Sequence, residues 1–417
     1  MGIHWDWGIV LEAGEIQGSL QRVLVQLMDA AYALGPAYAM HDLTCFPQLA
    51  PKDYVLLNTT AVRLRLGTGG LHFVQAVLPG GRPLEQVSAG HEALNTKPAE
   101  NPAPSPAESV RKYHDASPHD SGHIMKLRYT AAQRAVLAVE EPSSPHHGTM
   151  LEAASLAGTP VLIGELHSML PAAAAWLRHL QQHGNKPEQA PVRLVYVMSD
   201  GGALPLDISS HAARLRELGW LEGTVTYGHA YGGDLEAVNK YTALLAARHV
   251  LGAGMIIAAM GPGIVGTGTP YGFSGMETAE LINAVHALGG VPVVLPRVGF
   301  ADARTRHRGL SAHTLTALGP AALARAVLPL PLLADEAQRH MLRGQAEQAA
   351  LAQRHEVRWL PPPSAGEIGQ ALAAYGRPIT TMNRGLAEEP AFFQAVCTAA
   401  GYAFDNYLAL RARPSEE

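Results

Sequence analysis

From about residue 160 onward, short apolar runs, interrupted only by Arg193, Thr224 and Thr226, recur at 161–164, 192–198, 223–227, 255–260 and 291–295. Between them lie 172–183, 211–218, 235–251 and 277–288, which read as helices that bury one face. A strand that carries apolar residues on both faces has to be covered on both. Alternation with helices therefore predicts a parallel sheet joined by right-handed crossovers, a Rossmann-like α/β domain.

The first part of the chain has another rhythm. Runs at 20–27, 54–57, 61–66 and 72–77, punctuated by Gly14, Gly35, Pro51, Gly67, Gly69 and Gly80, predict a small β-barrel or β-sandwich domain over residues 1–87. Residues 88–122 shift to Pro, Ala, Ser, Glu and His, the composition of a linker or insertion. A hairpin over 124–127 and 135–140 then opens the α/β domain, assigned to 123–417, which ends in helical stretches at 334–353, 367–374 and 390–400 with one strand at 357–360.

Composition narrows the function. A formal charge of -5 and no dense patch of Lys and Arg argue against a nucleic-acid partner. No apolar stretch of about 18 residues exists, and Trp5, Asp6, Trp7 and Glu12 stand where a secretory leader would be basic and apolar, so no membrane partner and a cytoplasmic location are expected. Cys45 and Cys397 stand alone, in no disulfide framework or zinc spacing. His114, Asp115, His119, Asp120 and His123 cluster, but on a proline-broken segment that would not preorganise a metal.

In an open α/β sheet the ligand crevice lies beyond the carboxyl ends of the strands. The residues following the runs are therefore the candidates: Glu165, His167 and Ser168, then Ser199, Asp200, Gly201 and Gly202, then His229, Gly232, Gly233 and Asp234. Glu165, His167, Asp200 and His229 are the groups able to move protons. Asp234 reads as the N-cap of a helix over 235–251. After the fifth run come Arg297, Asp302, Arg304, Arg306, His307, Arg308 and His313, a cluster able to clamp a phosphate or carboxylate.

The fourth run empties into a glycine-rich loop in which Gly261, Gly263 and Gly266 spell G-x-G-x-x-G. In the dinucleotide fingerprint the third glycine already lies in a helix, whereas Thr267, Gly268, Thr269 and Pro270 keep this chain irregular. Bare backbone at Gly261, Gly263 and Gly266, with Thr267, Thr269, Ser199, Arg304 and Arg306, is the expected ligand-binding set. There is no P-loop, and Ser199 lacks the glycine that precedes the serine of a nucleophile elbow.

The strings EEPSSPHH, GELHSML, YVMSDGGALPL, GHAYGGDLEAVN, MGPGIVGTGTPYGFSGME, RHRGLSAHT and TMNRGLAEEPAFF together resemble an uncharacterised bacterial family, domain of unknown function 3866. The resemblance implies a bacterial, cytoplasmic protein and carries no activity with it. The residues themselves favour an enzyme, of hydrolase or transferase type, acting on a small anionic and even phosphorylated metabolite. Two alternatives stand beside it: an oxidoreductase using a nicotinamide or flavin cofactor, and a non-catalytic ligand sensor or assembly protein. The cofactor is unknown from the sequence, no metal site is assigned, and a homodimer is compatible with it.

Overall fold

A computed structural model describes residues 3–28, 35–65, 70–78, 122–183 and 191–412. Contacts divide the chain into two compact units, Met1–Ser144 and Pro145–Glu417. The segment expected to link the domains, with its His114, Asp115, His119 and Asp120, lies outside the described residues.

In the first unit β1 (Trp5–Gln17), β2 (Leu20–Leu27), β3 (Ala37–Asp42), β4 (Tyr54–Asn58) and β5 (His72–Leu78) form a closed barrel in the order β1-β2-β3-β5-β4. All neighbours are antiparallel except β3 and β5. Val10, Val23, Val25, Val55 and Leu57 fill it. Period-two alternation brings Asp6 inward as well, where its carboxylate accepts hydrogen bonds from Thr59 (2.5 Å) and from Arg63 Nε (2.9 Å). That pairing explains one departure from expectation: of the strand expected over 61–66, the described residues 61–65 form none, because α1 (Thr60–Arg63) is a single turn whose first amide donates to Asn58 Oδ1 and whose last residue is held by Asp6. The hairpin β6 (Ile124–Lys126) and β7 (Arg134–Val136) belongs to this unit too. Asn58 Nδ2 donates to the carbonyls of Ala131 and Gln133, both at 2.8 Å, and Met125 and Ala135 pack on Ala61.

The second unit follows α2 (His147–Glu152) with β8 (Pro160–Gly164), α3 (Met169–His183), β9 (Leu194–Ser199), α4 (Ser210–Glu217), β10 (Gly223–Tyr227), β11 (Leu235–Ala237), α5 (Lys240–His249), β12 (Met255–Met260), α6 (Glu277–Ala287) and β13 (Val291–Leu295). The short pair β14 (Val298–Gly299) and β15 (Gly309–Leu310) precedes α7 (Ala312–Thr316) and β16 (Val327–Pro331). Then come α8 (Glu336–Gln348), α9 (Leu351–Arg354), β17 (Glu356–Leu360), α10 (Ala365–Tyr375) and α11 (Pro390–Arg411). Eight strands make one parallel sheet in the order β11-β10-β9-β12-β8-β13-β16-β17.

Every residue of β8, β9, β10 and β12 is buried, as strands between two helical layers require. Helices α3, α4, α10 and α11 pack together on one face, with Phe392, Phe393, Val396 and Ala400 of α11 laid against Leu162, Val293 and Leu295. Helices α5 and α6 pack against each other on the other face.

Two local readings are corrected. Residues 235–251 are not one helix: Leu235–Ala237 is the edge strand and the helix starts at Lys240. Asp234 is therefore not a cap. Its carboxylate accepts from the amide and hydroxyl of Thr224, both at 2.8 Å, and from Arg216 at 2.6 Å, holding the edge strand to β10. Asn239 is the cap, in a reciprocal box with Thr242. Asn239→Ala is expected to cost about 1 kcal/mol of unfolding free energy, read by urea denaturation, whereas a reading that kept Asp234 as the cap expects no loss from that substitution.

Candidate functional site

The chain leaves β8 and β9 toward α3 and α4 on one face and leaves β12, which lies between them, toward α6 on the other. Neighbouring strands whose connections depart in opposite directions open a crevice at their carboxyl ends. A cleft of about 420 Å³ lies there. It is lined by Leu166–Ser168 after β8, by Ile208–His211 at the start of α4, by Gly261–Ile264 after β12, and by the turn Thr380–Asn383. None of these residues is Asp, Glu, Lys or Arg, yet two are histidines, and α3 and α4 both begin at it.

His167 sits at the centre of the hydrogen bonding. Its Nδ1 lies 3.1 Å from the Met260 carbonyl, which can only accept, so Nδ1 carries the proton and Nε2 receives the Ser209 hydroxyl at 2.7 Å. Burial holds its pKa down to about 4, with the nearby His211 ring adding a smaller push the same way, so the imidazole is neutral. Ser209 is also the N-cap of α4, accepting from the Ala212 amide at 2.9 Å. The cap takes that amide and leaves those of Ser210 and His211, the first two of the helix, for a ligand. His211 Nδ1 pairs with the Tyr375 hydroxyl at 2.8 Å. On the far wall Met382 and Asn383 have φ of +48° and +64°, a strained left-handed pair held by the mutual backbone bonds of Thr381 and Arg384.

Only part of the glycine loop belongs to the cleft. Gly261 and Gly263 line it, Gly263 at φ +99° with open space where a side chain would be. Beyond them the loop turns away and closes on itself: Thr267 and Thr269 bond through their hydroxyls at 2.9 Å, and the Thr267 amide and hydroxyl both reach the Gly272 carbonyl. Gly266 lies under His313, which stacks on Phe273 with ring centres 3.9 Å apart, and Gly268 lies under the Arg306 guanidinium. No helix begins before Glu277 apart from one tight turn at Ser274–Met276, so Gly266 does not open a helix as the dinucleotide fingerprint requires.

Part of the cationic cluster is neutralised. Arg304 makes a bidentate pair with Asp302 at 2.9 and 3.0 Å, and this guanidinium holds the Asp302 carboxyl well below its usual range. Arg306 gives its Nε to His307 Nε2 at 3.1 Å, so the His307 proton is on Nδ1, which donates to Ser311 at 2.8 Å. Glu165 is not in the cleft. It is buried behind Gly275, 3.5 Å from the equally buried Arg297, and burial outweighs that ion pair and lifts its pKa to about 7.

Asp200 and His229 also fall outside the cleft lining. Asp200 accepts from the amides of His229 (2.5 Å) and Ala230 (3.0 Å) and so braces the turn after β10, where Gly228 at φ +62° leaves room for it. Ser199 is buried with no hydrogen-bond partner for its hydroxyl. The structure thus brings His167, Ser168, Gly261 and Gly263 together and adds Ser209, Ser210, His211 and Thr380–Asn383, which sequence reasoning missed. A serine directly ahead of a helical stretch is an available cap signal at Ser209. Nothing local marks the turn at 380–383, which reaches the site only through the fold.

Among the described residues no three His, Cys, Asp or Glu are grouped to hold a metal ion. His123, the described member of the histidine segment, gives its amide to Glu141 at 2.6 Å.

The buried titratable groups define a pH signature. His167, His307 and His313 have pKa values pushed down by burial, to about 4, about 3 and about 4, from an ordinary 6.5. The unfolded chain protonates them first, so the stability they represent is complete above pH 6.5 and is lost as pH falls toward 4. Glu165 acts with the opposite sign: its stability is present below pH 4.5 and is lost as pH rises through about 7. Denaturation midpoints are expected to fall from pH 6.5 to 4.5, and Glu165→Gln to steepen that fall by removing the opposing carboxyl. An unchanged slope in the variant contradicts the assignment of Glu165.

No curated protein and no solved structure matches the chain. The sequence profile described as "Protein of unknown function (DUF3866)" matches residues 37–400, and the chain belongs to that family.

Proposed function

We propose that the second unit is a cytoplasmic enzyme acting on a small organic anion, a carboxylate or phosphate ester, bound in the cleft at the carboxyl ends of β8, β9 and β12. One observation carries this reading: two helix N-termini open on a cleft in whose lining, among the described residues, no Asp, Glu, Lys or Arg stands. Helix N-termini favour negative charge through unpaired amides and the aligned peptide dipoles. A cationic or neutral ligand would find no carboxylate there, while an anion gains the amides of Ser210 and His211 and the hydroxyls of Ser168 and Ser210. Ile208 and Met382, 56% and 43% exposed, add an apolar rim that suits an organic body on the acid group.

In this reading His167 and Ser209 form the proton-moving pair. The neutral imidazole has its tautomer fixed by the Met260 carbonyl, and its Nε2 holds the Ser209 proton. An anion beside the ring favours its protonated form, so ligand binding raises its proton affinity toward neutrality. The free thiols of Cys45 and Cys397 fit a reducing compartment. The nicotinamide or flavin reading gains no comparable support, because the loop after Gly266 stays irregular.

Thermal unfolding of the whole chain with matched aryl ligands tests the reading. Phenyl phosphate and benzoate are expected to raise the melting temperature, and benzyl alcohol and benzylamine to leave it unchanged. Ser210→Asp places a carboxylate at the first turn of α4, where it stabilises the helix by about 0.3–1 kcal/mol while repelling the ligand. The variant is therefore expected to melt no lower than wild type and to lose the benzoate shift; a retained benzoate shift, or stabilisation by benzylamine, overturns the proposal.

A further inference from the structure

Thr159, Arg193 and Gly254 immediately precede β8, β9 and β12, and they line a second cavity of about 500 Å³ at the amino-terminal edge of the sheet, opposite the cleft. Three guanidinium groups meet there: Arg193, Arg248 near the end of α5, and Arg411 at the end of α11. Among the described residues no Asp or Glu lines the cavity. Among the described residues Glu222 is the one carboxylate paired with any of the three, on Arg193 at 2.7 Å, with both side chains well exposed.

The remaining donors are only partly used. Arg248 Nη1 reaches the Ala253 carbonyl at 3.2 Å, but its Nε is buried with no partner. Arg411 gives one nitrogen to the Tyr407 hydroxyl at 3.1 Å and packs toward that ring. Glycines keep the floor open: a side chain on Gly252, at φ +65°, would meet the Arg193 guanidinium at 3.0 Å, and one on Gly254 would strike the Tyr407 ring at 2.7 Å. A helix C-terminus accounts for one arginine at each of Arg248 and Arg411. It does not account for Arg193 joining them from a strand end. Arginine forks of this kind match the oxygens of phosphate, and the volume lies within the range of small-molecule sites, roughly 300–1,000 Å³.

We propose that this cavity binds the phosphate or pyrophosphate group of a small molecule, clamped by Arg193, Arg248 and Arg411. The site is separate from the cleft at the carboxyl edge, and its occupant is a second ligand of the unit.

Isothermal titration of the full chain with pyrophosphate, and separately with ADP, tests it. Binding is expected for wild type and for Ser210→Asp, and is expected to weaken at least tenfold when the exposed Arg193 and Arg411 are both changed to Met. Similar affinities for the two titrants assign the bare phosphate chain as the ligand feature, and a tenfold preference for ADP assigns a nucleotide. Circular dichroism checks the double variant; if it is misfolded, Arg411→Met alone is read, with a threefold or greater loss expected. Absence of binding by both titrants, or equal affinity in the folded arginine variants, overturns the proposal.

Discussion

The carbonyl of Met260, the last residue of β12, accepts from His167 Nδ1 at 3.1 Å, and the Tyr196 hydroxyl points between it and the Ala259 carbonyl, 3.2 Å from each. His167 follows β8 and Tyr196 lies within β9, so the end of β12 is tied to both of its neighbours in the sheet. Burial pushes the Tyr196 phenol upward in pKa and the His167 ring downward, and both stay neutral donors to that oxygen. The cleft depends on this junction. It fixes which nitrogen of His167 faces Ser209, Ser209 in turn fixes the start of α4, and the first amides of α4 form one wall of the site.

The electrostatics of the carboxyl edge follow a division of labour. Toward β13, charged groups are buried as mutual partners: Asp302 lies within 4 Å of Arg297, Arg304 and Arg384, and Glu389 pairs with Arg384 while capping the amides of Phe300 and Ala301. Removing one member of such a network leaves an uncompensated charge, which makes it a scaffold. Toward β9 the cleft is lined by neutral polar groups and helix starts. Any attraction for an anion there comes from peptide dipoles and amides, not from the arginines whose sequence cluster drew attention first.

Much of the architecture was legible because burial on both faces leaves a plain mark on a strand. Five apolar runs correspond to β8, β9, β10, β12 and β13, and the strand expected at 357–360 is β17. Strand β16 escaped notice because Val327–Pro331 contains Pro329 and Pro331, residues that argue against an interior strand. They are tolerated because the prolines, two apart, lack amide hydrogens along the same edge, and pairing with β13 is confined to Val293 and Val327 while pairing with β17 runs the full length. Within the site, the sequence led to His167, Gly261 and Gly263 through their position after apolar runs. It could not reveal that Glu165 and Asp200 are consumed by Arg297 and by backbone amides, because neither partner is near in sequence. Nor could it reveal the Thr380–Asn383 wall, which is brought in by α10 and α11 packing on α3.

The central claim is that the cleft is an anion site built from helix starts around a neutral His167. A crystal structure of the protein with phenyl phosphate tests it most directly. The account predicts phosphate oxygens about 2.7–3.2 Å from the amides of Ser210 and His211, with the phenyl ring against Ile208 and Met382. A phosphate group bound elsewhere on the second unit, with the α4 amides still facing solvent, would contradict it.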